Sequence, residues 1–105
     1  MNESDWKIFT QIKDKAIDLF CNRALLDYEK IIKNDNEDVH ERYLQLYSLV
    51  QKRNKRMASL FDGHSRSGAL LQLLSIRAEG LADENLLNKL SEEFLLDTDP
   101  KRLKY

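Results

Sequence analysis

The chain has few of the residues that form disulfide cross-links or tight turns. Its 105 residues include one cysteine, one proline and three glycines. A lone cysteine excludes a disulfide within the chain, and the unpaired Cys21 favours a reducing compartment. So few glycines and prolines do not supply the many turns that a β-sandwich or β-barrel needs. The composition therefore points away from all-β folds and disulfide scaffolds.

The chain also lacks a surplus of either charge, a signal peptide and a long apolar run. Seventeen Lys and Arg balance eighteen Asp and Glu, for a net charge of −1. This total gives no overall attraction to nucleic acid or to an anionic membrane. The N-terminal MNESDWK has neither a basic start nor an apolar core, and no run approaches the roughly 20 apolar residues of a membrane span. We therefore expect a cytoplasmic protein without membrane association.

What the chain does have is helical patterning with enough apolar residues for one modest core. Hydrophobic residues make up 42% and charged residues 33%, a globular balance. We expect a single all-α domain over residues 1–105, a small bundle of about four helices. Two long antiparallel helices should precede a shorter C-terminal helical hairpin. The predicted helices cover 5–33, 38–61, 67–79 and 84–95, with a tail at 97–105.

The first predicted helix, capped by Ser4, carries two apolar faces instead of one. One stripe at helical spacing consists of Phe9, Ile12, Ala16, Leu19 and Phe20. A second stripe, rotated by a third of a turn or more, consists of Cys21, Leu25, Tyr28 and Ile32. A single neighbouring helix cannot cover both faces. The helix must therefore bend, or be wrapped in its second half by other helices or by another subunit.

The second predicted helix has the most regular pattern in the chain. Asp38, with Glu41 three residues later, has the spacing of a capping box. Apolar positions recur at alternating steps of four and three, which is typical of a packed antiparallel helix. This row consists of Val39, Tyr43, Leu46, Val50, Arg53, Met57 and Leu60. Leu44 and Tyr47 fall off the row, toward a flank that should be solvated.

The C-terminal part begins with GALLQLLSIRAEG, a segment apolar enough to be buried on most sides. Gly80 is placed to end this helix as a left-handed residue, and Asp83 to cap the next helix.

Basic residues are concentrated in one segment, QKRNKRMASLFDGHSRSG, which runs from Gln51 to Gly68. Residues 51–68 carry five Lys and Arg against one acid, whereas the flanking segments are both acidic. A candidate anion or nucleic-acid patch therefore consists of Lys52, Lys55, Arg56, His64 and Arg66. The alternative is a solvated helix end or a contact with an acidic partner, because the helix dipole favours cations there and no aromatic residue interleaves to stack bases.

Gly63 and Gly68 have the spacing of a phosphate-binding P-loop, but the rest of that motif is missing. Ala69 and Leu70 follow the second glycine in place of Lys and Ser or Thr, and a helix precedes the first in place of a strand. Gly63 is better explained as a helix stop, with a following serine capping the next helix.

Catalytic and metal-binding chemistry has little support in this sequence. Asp62, His64 and Ser65 are suitable types for a nucleophilic relay, but such residues normally meet through the fold and not within four consecutive positions. Cys21, His40 and His64 have no paired metal-ligand spacing. We predict that the protein is not an enzyme and has no catalytic residues, no metal and no cofactor.

Two arginines, Arg53 and Arg77, lie on otherwise apolar helix faces. Either each reaches past its neighbours to a carboxylate or water, or one or both cross a subunit interface to an acid such as Asp27 or Glu29. Tyrosine, leucine and arginine are common in buried contacts between subunits. The candidate interface residues are Leu25, Tyr28, Ile32, Leu44, Tyr47 and Arg53.

The sequence thus favours a protein–protein interaction or regulatory module that acts as a homodimer or binds another protein. The alternative is a regulator that binds nucleic acid or a phosphorylated ligand through the basic segment 52–66. The excess of apolar helix surface favours the former, and the clustered cations motivate the latter.

Overall fold

A computed structural model describes residues 1–103, and these residues form helices without any strand. The all-α prediction is confirmed. The elements in chain order are α1 (Glu3–Ile32), α2 (Val39–Phe61), α3 (Ala69–Ala78), α4 (Glu84–Leu87), α5 (Glu92–Asp97) and a 3₁₀ turn (Pro100–Leu103). Of the predicted tail, residues 104 and 105 lie outside the described residues.

Local capping sets most of the helix ends. The Asp38 side chain accepts a hydrogen bond from the backbone N–H of Glu41 at 2.8 Å, so α2 begins as its sequence predicts. The prediction for α1 differs by two residues. Asn2 is the N-cap in place of Ser4, because the Asn2 side-chain oxygen accepts from the Asp5 N–H at 2.7 Å.

Gly80 ends α3 in the left-handed conformation that its position predicts, with φ of 71°. Its N–H donates to the Arg77 carbonyl at 3.0 Å, and the Leu81 N–H donates to the Ile76 carbonyl at 3.1 Å. These two bonds form a Schellman motif. Leu81 is buried against the core, so the same turn that stops α3 also anchors the chain that follows.

The segment 84–95, predicted as one helix, is divided into α4 and α5 by a contact with the start of the chain. The Ser91 N–H donates to Asp5 Oδ1 at 2.8 Å, and the Ser91 hydroxyl donates to Asp5 Oδ2 at 2.5 Å. The same hydroxyl accepts from the Phe94 N–H and so caps α5. Because Asp5 takes the Ser91 N–H, that group is not available to continue α4.

The buried core lies at one end of the molecule, which we call the head (residues 1–19 and 57–103). It collects Phe9, Ile12 and Ala16 from α1 and the end of α2, with α3 and the C-terminal helices packed around them. The principal extents are 53 × 29 × 22 Å and the radius of gyration is 16.8 Å, against about 13 Å for a compact chain of this length. The molecule is therefore elongated.

The elongation comes from a two-helix projection, which we call the arm (residues 20–56). It consists of the C-terminal half of α1, the connection at 33–38 and most of α2. Between Ile17 and Ser59 only Ala24 is buried. The far end of the arm is closed by Arg42, whose guanidinium donates to the Ile32 carbonyl at 2.5 Å. The arm thus has almost no core of its own.

Candidate functional site

The two arm helices are joined by an ion pair in the seam between them. Arg53 Nη2 lies 2.7 Å from Asp27 Oδ2, and this hydrogen bond, with the charge of Arg53, lowers the pKa of the Asp27 carboxyl. Both residues belong to the same chain, which is the first of the two alternatives that the sequence leaves open for Arg53. Arg77 also stays within its chain, where it donates to the Leu95 carbonyl and the Thr98 hydroxyl at 2.6 and 2.9 Å.

One side of the arm carries exposed apolar side chains from both helices, and we call it the apolar flank. Its members are Leu25, Tyr28 and Ile32 on α1 and Val39, Tyr43 and Tyr47 on α2. Tyr28 is half-buried and the other five are exposed, with Val39 at 74% and Tyr43 at 66%. Side chains this apolar are usually covered in a stable assembly.

Helix geometry places both rows of this flank on the same side of the arm. At about 100° per residue, the α1 row lies about 100° from the seam defined by Ala24, Asp27 and Ile31. The α2 row lies about 90° from its own seam, which includes Leu46 and Arg53. On each helix, viewed from its N-terminus to its C-terminus, the row is rotated away from the seam in the same direction. Because the helices run antiparallel, equal rotation in the same sense turns both rows to one side.

The centre of the apolar flank is also free of charge. No Lys, Arg, Asp or Glu of the two arm helices falls within about 60° of the centre of either row, and Glu29, one turn after Leu25, lies at the edge. Two such surfaces can therefore meet without placing a charge in an apolar contact.

Four of the six candidate interface residues lie on this flank, namely Leu25, Tyr28, Ile32 and Tyr47. Arg53 lies in the seam and Leu44 points to the opposite side of α2. Val39 and Tyr43, which the spacing assigned to the packed row of α2, are exposed on the flank instead. The physical reason is that a seven-residue repeat drifts by about 20° per heptad around a straight helix, so its first members turn away from α1.

The opposite side of the arm is basic, and we call it the basic flank. It carries Arg23 and Lys30 on α1 and Lys52 and Lys55 on α2. All four are exposed, and none forms an ion pair with another residue in 1–103. The arm therefore presents two chemically different sides.

The cations of the candidate anion patch differ in whether a carboxylate already pairs with them. Arg56 pairs with Glu79, and Arg66 pairs with Glu3 while lying over the Trp6 ring at 5.3 Å. Of the four cations in that set, Lys52 and Lys55 alone have no ion pair among residues 1–103.

His64 belongs to a contact that ties the glycine loop to α1. Its ring packs on Trp6 at 4.6 Å between centroids, and its Nδ1 lies 3.3 Å from Lys13 Nζ. Lys13 also donates to the Gly63 carbonyl at 2.5 Å. Burial lowers the pKa of the Lys13 ammonium, with Asp14 and Asp62 acting against that shift.

The glycine loop turns the chain from α2 into α3. Gly63 adopts φ of 79° just after α2, and the Ser65 hydroxyl accepts from the Gly68 N–H at 3.1 Å. Gly63 therefore provides the helix stop that the sequence favours over a P-loop. The predicted serine cap is wrong, because Gly68 is the N-cap of α3 without a side-chain cap, and the Ser65 hydroxyl closes the turn before the helix.

The described part of the chain contains no group of three or more His, Cys, Asp and Glu placed to hold a metal ion. In the same part, every helix is too short or too polar to cross a membrane.

Comparisons with protein families, with curated proteins and with solved structures find no match to this chain. The functional argument therefore rests on the surfaces of the arm.

Proposed function

We propose that this protein is a protein–protein interaction module that acts as a homodimer, with the apolar flanks of two arms packed against each other. The observation that carries the proposal is the apolar flank, which residues 1–103 leave uncovered. Two antiparallel helices from each copy would form a four-helix arrangement, in which the facing sides of the helices make a shared core. Since Cys21 is a free thiol, the proposal includes a reducing, cytoplasmic setting.

The size of the flank is sufficient for such a contact. The exposed fractions of Leu25, Ile32, Val39, Tyr43 and Tyr47 correspond to about 600 Å² of side-chain surface per copy, or about 1,200 Å² for a two-fold contact. That area is at the lower end of stable interfaces. Tyrosines are enriched in such contacts because they bury a large apolar area and keep a polar group at the rim.

A partner would also add to the stability of the arm. Most helical stability in proteins comes from packing an apolar face. In the arm, Ala24 of α1 is the one buried residue. Packing against a second copy would supply the missing burial.

A second copy suits this surface because a two-fold contact pairs each side chain with an equivalent region of the same flank. A charged surface facing itself would be repelled, whereas an uncharged apolar flank is compatible with itself. The anion-binding alternative has less support, because Arg56 and Arg66 are already paired with carboxylates.

The test is the mass in solution, measured by light scattering on a size-exclusion column at about 1–100 μM, which covers the weak end of the affinities that interfaces show. We expect twice the chain mass of 12.4 kDa, with dissociation on dilution. A constant mass of one chain across that range would refute the homodimer.

A further inference from the structure

A shallow groove runs along the arm on the side of the basic flank. Its volume is about 460 Å³, and its lining residues are Ile31, Glu41, Leu44, Gln45, Ser48, Leu49 and Lys52. Ile31, Leu44 and Leu49 give it an apolar floor. From Glu41 to Lys52 the groove follows α2 for about 16 Å, which is the length of about three helical turns.

Lys52 lines the groove at the end nearest the head. Arg23 on α1 and Lys55 on α2 lie on the same side of the arm and also in its head-side half, because the two helices run antiparallel. Glu41 is the one acid that lines the groove, and it lies at the other end, as does Lys30 of the basic flank. The head-side end is therefore positive, whereas the charges at the far end balance.

We infer that this groove docks an acidic amphipathic helix of another protein. Such a helix would place apolar side chains between Ile31 and Leu49 and carboxylates beside Lys52 and Lys55. This is the helix-in-groove mode of recognition, in which apolar anchors supply affinity and charges select the partner. The position of these cations predicts acids at the end of the partner helix that lies nearest the head.

The apolar floor distinguishes this partner from a nucleic acid. Single strands are bound by aromatic side chains that stack on bases, and duplexes by a wide field of phosphate contacts. The residues that line the groove include no aromatic side chain and one cation, Lys52. This is too few cations for a field of phosphate contacts. A protein helix uses both the apolar floor and the basic rim.

The groove and the apolar flank lie on opposite sides of the arm, so this inference is independent of the homodimer. Each of two paired arms would keep its groove free for one partner helix. Failure of one proposal would leave the other standing, because the two use different residues.

The probe is a designed peptide of about 18 residues, or five turns, with leucines on one face and glutamates beside them, labelled with fluorescein. Anisotropy is measured against the full chain at low and at moderate salt. We expect saturable binding that Lys52→Glu weakens about tenfold and salt weakens further, because a close charge pair is reversed. Leu44→Glu should weaken binding as well. Lys89→Glu, an exposed change on the head, is the matched control and should leave binding unchanged.

Circular dichroism and the mass in solution show whether each variant keeps its fold and its assembly. A charge-swapped peptide, with lysine for glutamate, should bind Lys52→Glu better than the unmodified chain. The inference is overturned if the acidic peptide shows no saturable binding up to about 1 mM, since a Kd of that size corresponds to a binding free energy of about −4 kcal/mol. Equal loss in Lys89→Glu would also overturn it. Displacement of the peptide by duplex DNA that binds more tightly would assign the surface to nucleic acid instead.

Discussion

Lys13 shows how a single buried cation organises the head. It is 5% exposed and its ammonium donates to the Gly63 carbonyl, just beyond the end of α2. A cation close to the C-terminus of a helix is stabilised by the negative end of the helix dipole. Lys13 therefore fixes the end of α2 and the start of the glycine loop against α1.

The lowered pKa of Lys13 predicts a pH dependence of stability. Because the folded-state pKa lies below the 10.5 of a free lysine, the unfolded chain binds more protons between the two values. The free energy of unfolding should therefore rise with pH between the two pKa values, relative to that of the Lys13→Met variant. Methionine keeps an unbranched apolar side chain at this position and removes the charge. Chemical denaturation of both proteins from pH 7 to 10.5 measures the difference. A difference that falls with pH would contradict this account of the site.

At the scale of the element, the features that follow from the sequence are those set by neighbours a few positions away. Asp38 and Glu41 determine the start of α2, and Gly80 determines the end of α3, because capping and left-handed turns depend on three to five residues. The alternation of two apolar faces along α1 also indicates the change from head to arm.

The features that could not be predicted depend on contacts between residues far apart in the sequence, or on small rotations of a side-chain row around its helix. The division of the C-terminal helix rests on Asp5 and Ser91, which are 86 positions apart. Val39 and Tyr43 fit the packed row of α2, and only the slow drift of that row exposes them. Four of the six candidate interface residues share one flank because their spacing is local. The position of Leu44 depends on how α1 and α2 meet.

The Asp27–Arg53 pair predicts how the arm responds to acid. Since Arg53 lowers the pKa of Asp27 below the ordinary 3.8, the pair stabilises the arm above that value and is lost as pH falls through the folded-state pKa. Asp27→Asn should lower the amide-exchange protection factors of the arm at pH 6, while those of the head stay unchanged. Below the folded-state pKa, the variant and the unmodified chain should converge.

Glu29→Gln is the control for that experiment, because it removes an exposed pair with Lys33 on the outer face of α1. Such surface pairs contribute little. Equal loss of protection in Asp27→Asn and Glu29→Gln would mean that the seam pair does not hold the arm helices together.

At the scale of the whole molecule, the head contains the core and the arm carries the exposed surfaces. The head buries nearly all of the core and so stabilises the fold, while the arm extends two helices that bury little. The arm exposes an apolar flank, which we propose packs against a second copy, and a basic flank, which we propose meets an acidic helix. Such a separation of fold stability from binding surface allows changes on the arm to affect assembly without unfolding the head.

The most direct test of the central claim compares two adjacent leucines of the arm. Leu25 and Leu26 are 62% and 60% exposed, so either can take a glutamate without disturbing a core. Leu25 lies on the apolar flank, whereas Leu26 is rotated about 100° from it, away from both seam and flank. Both variants carry the same Leu→Glu change at exposed positions, so a difference between them in sedimentation equilibrium reports the position on the arm. We predict that Leu25→Glu is a monomer at a concentration where Leu26→Glu remains a dimer, and the same mass for both variants would contradict the account.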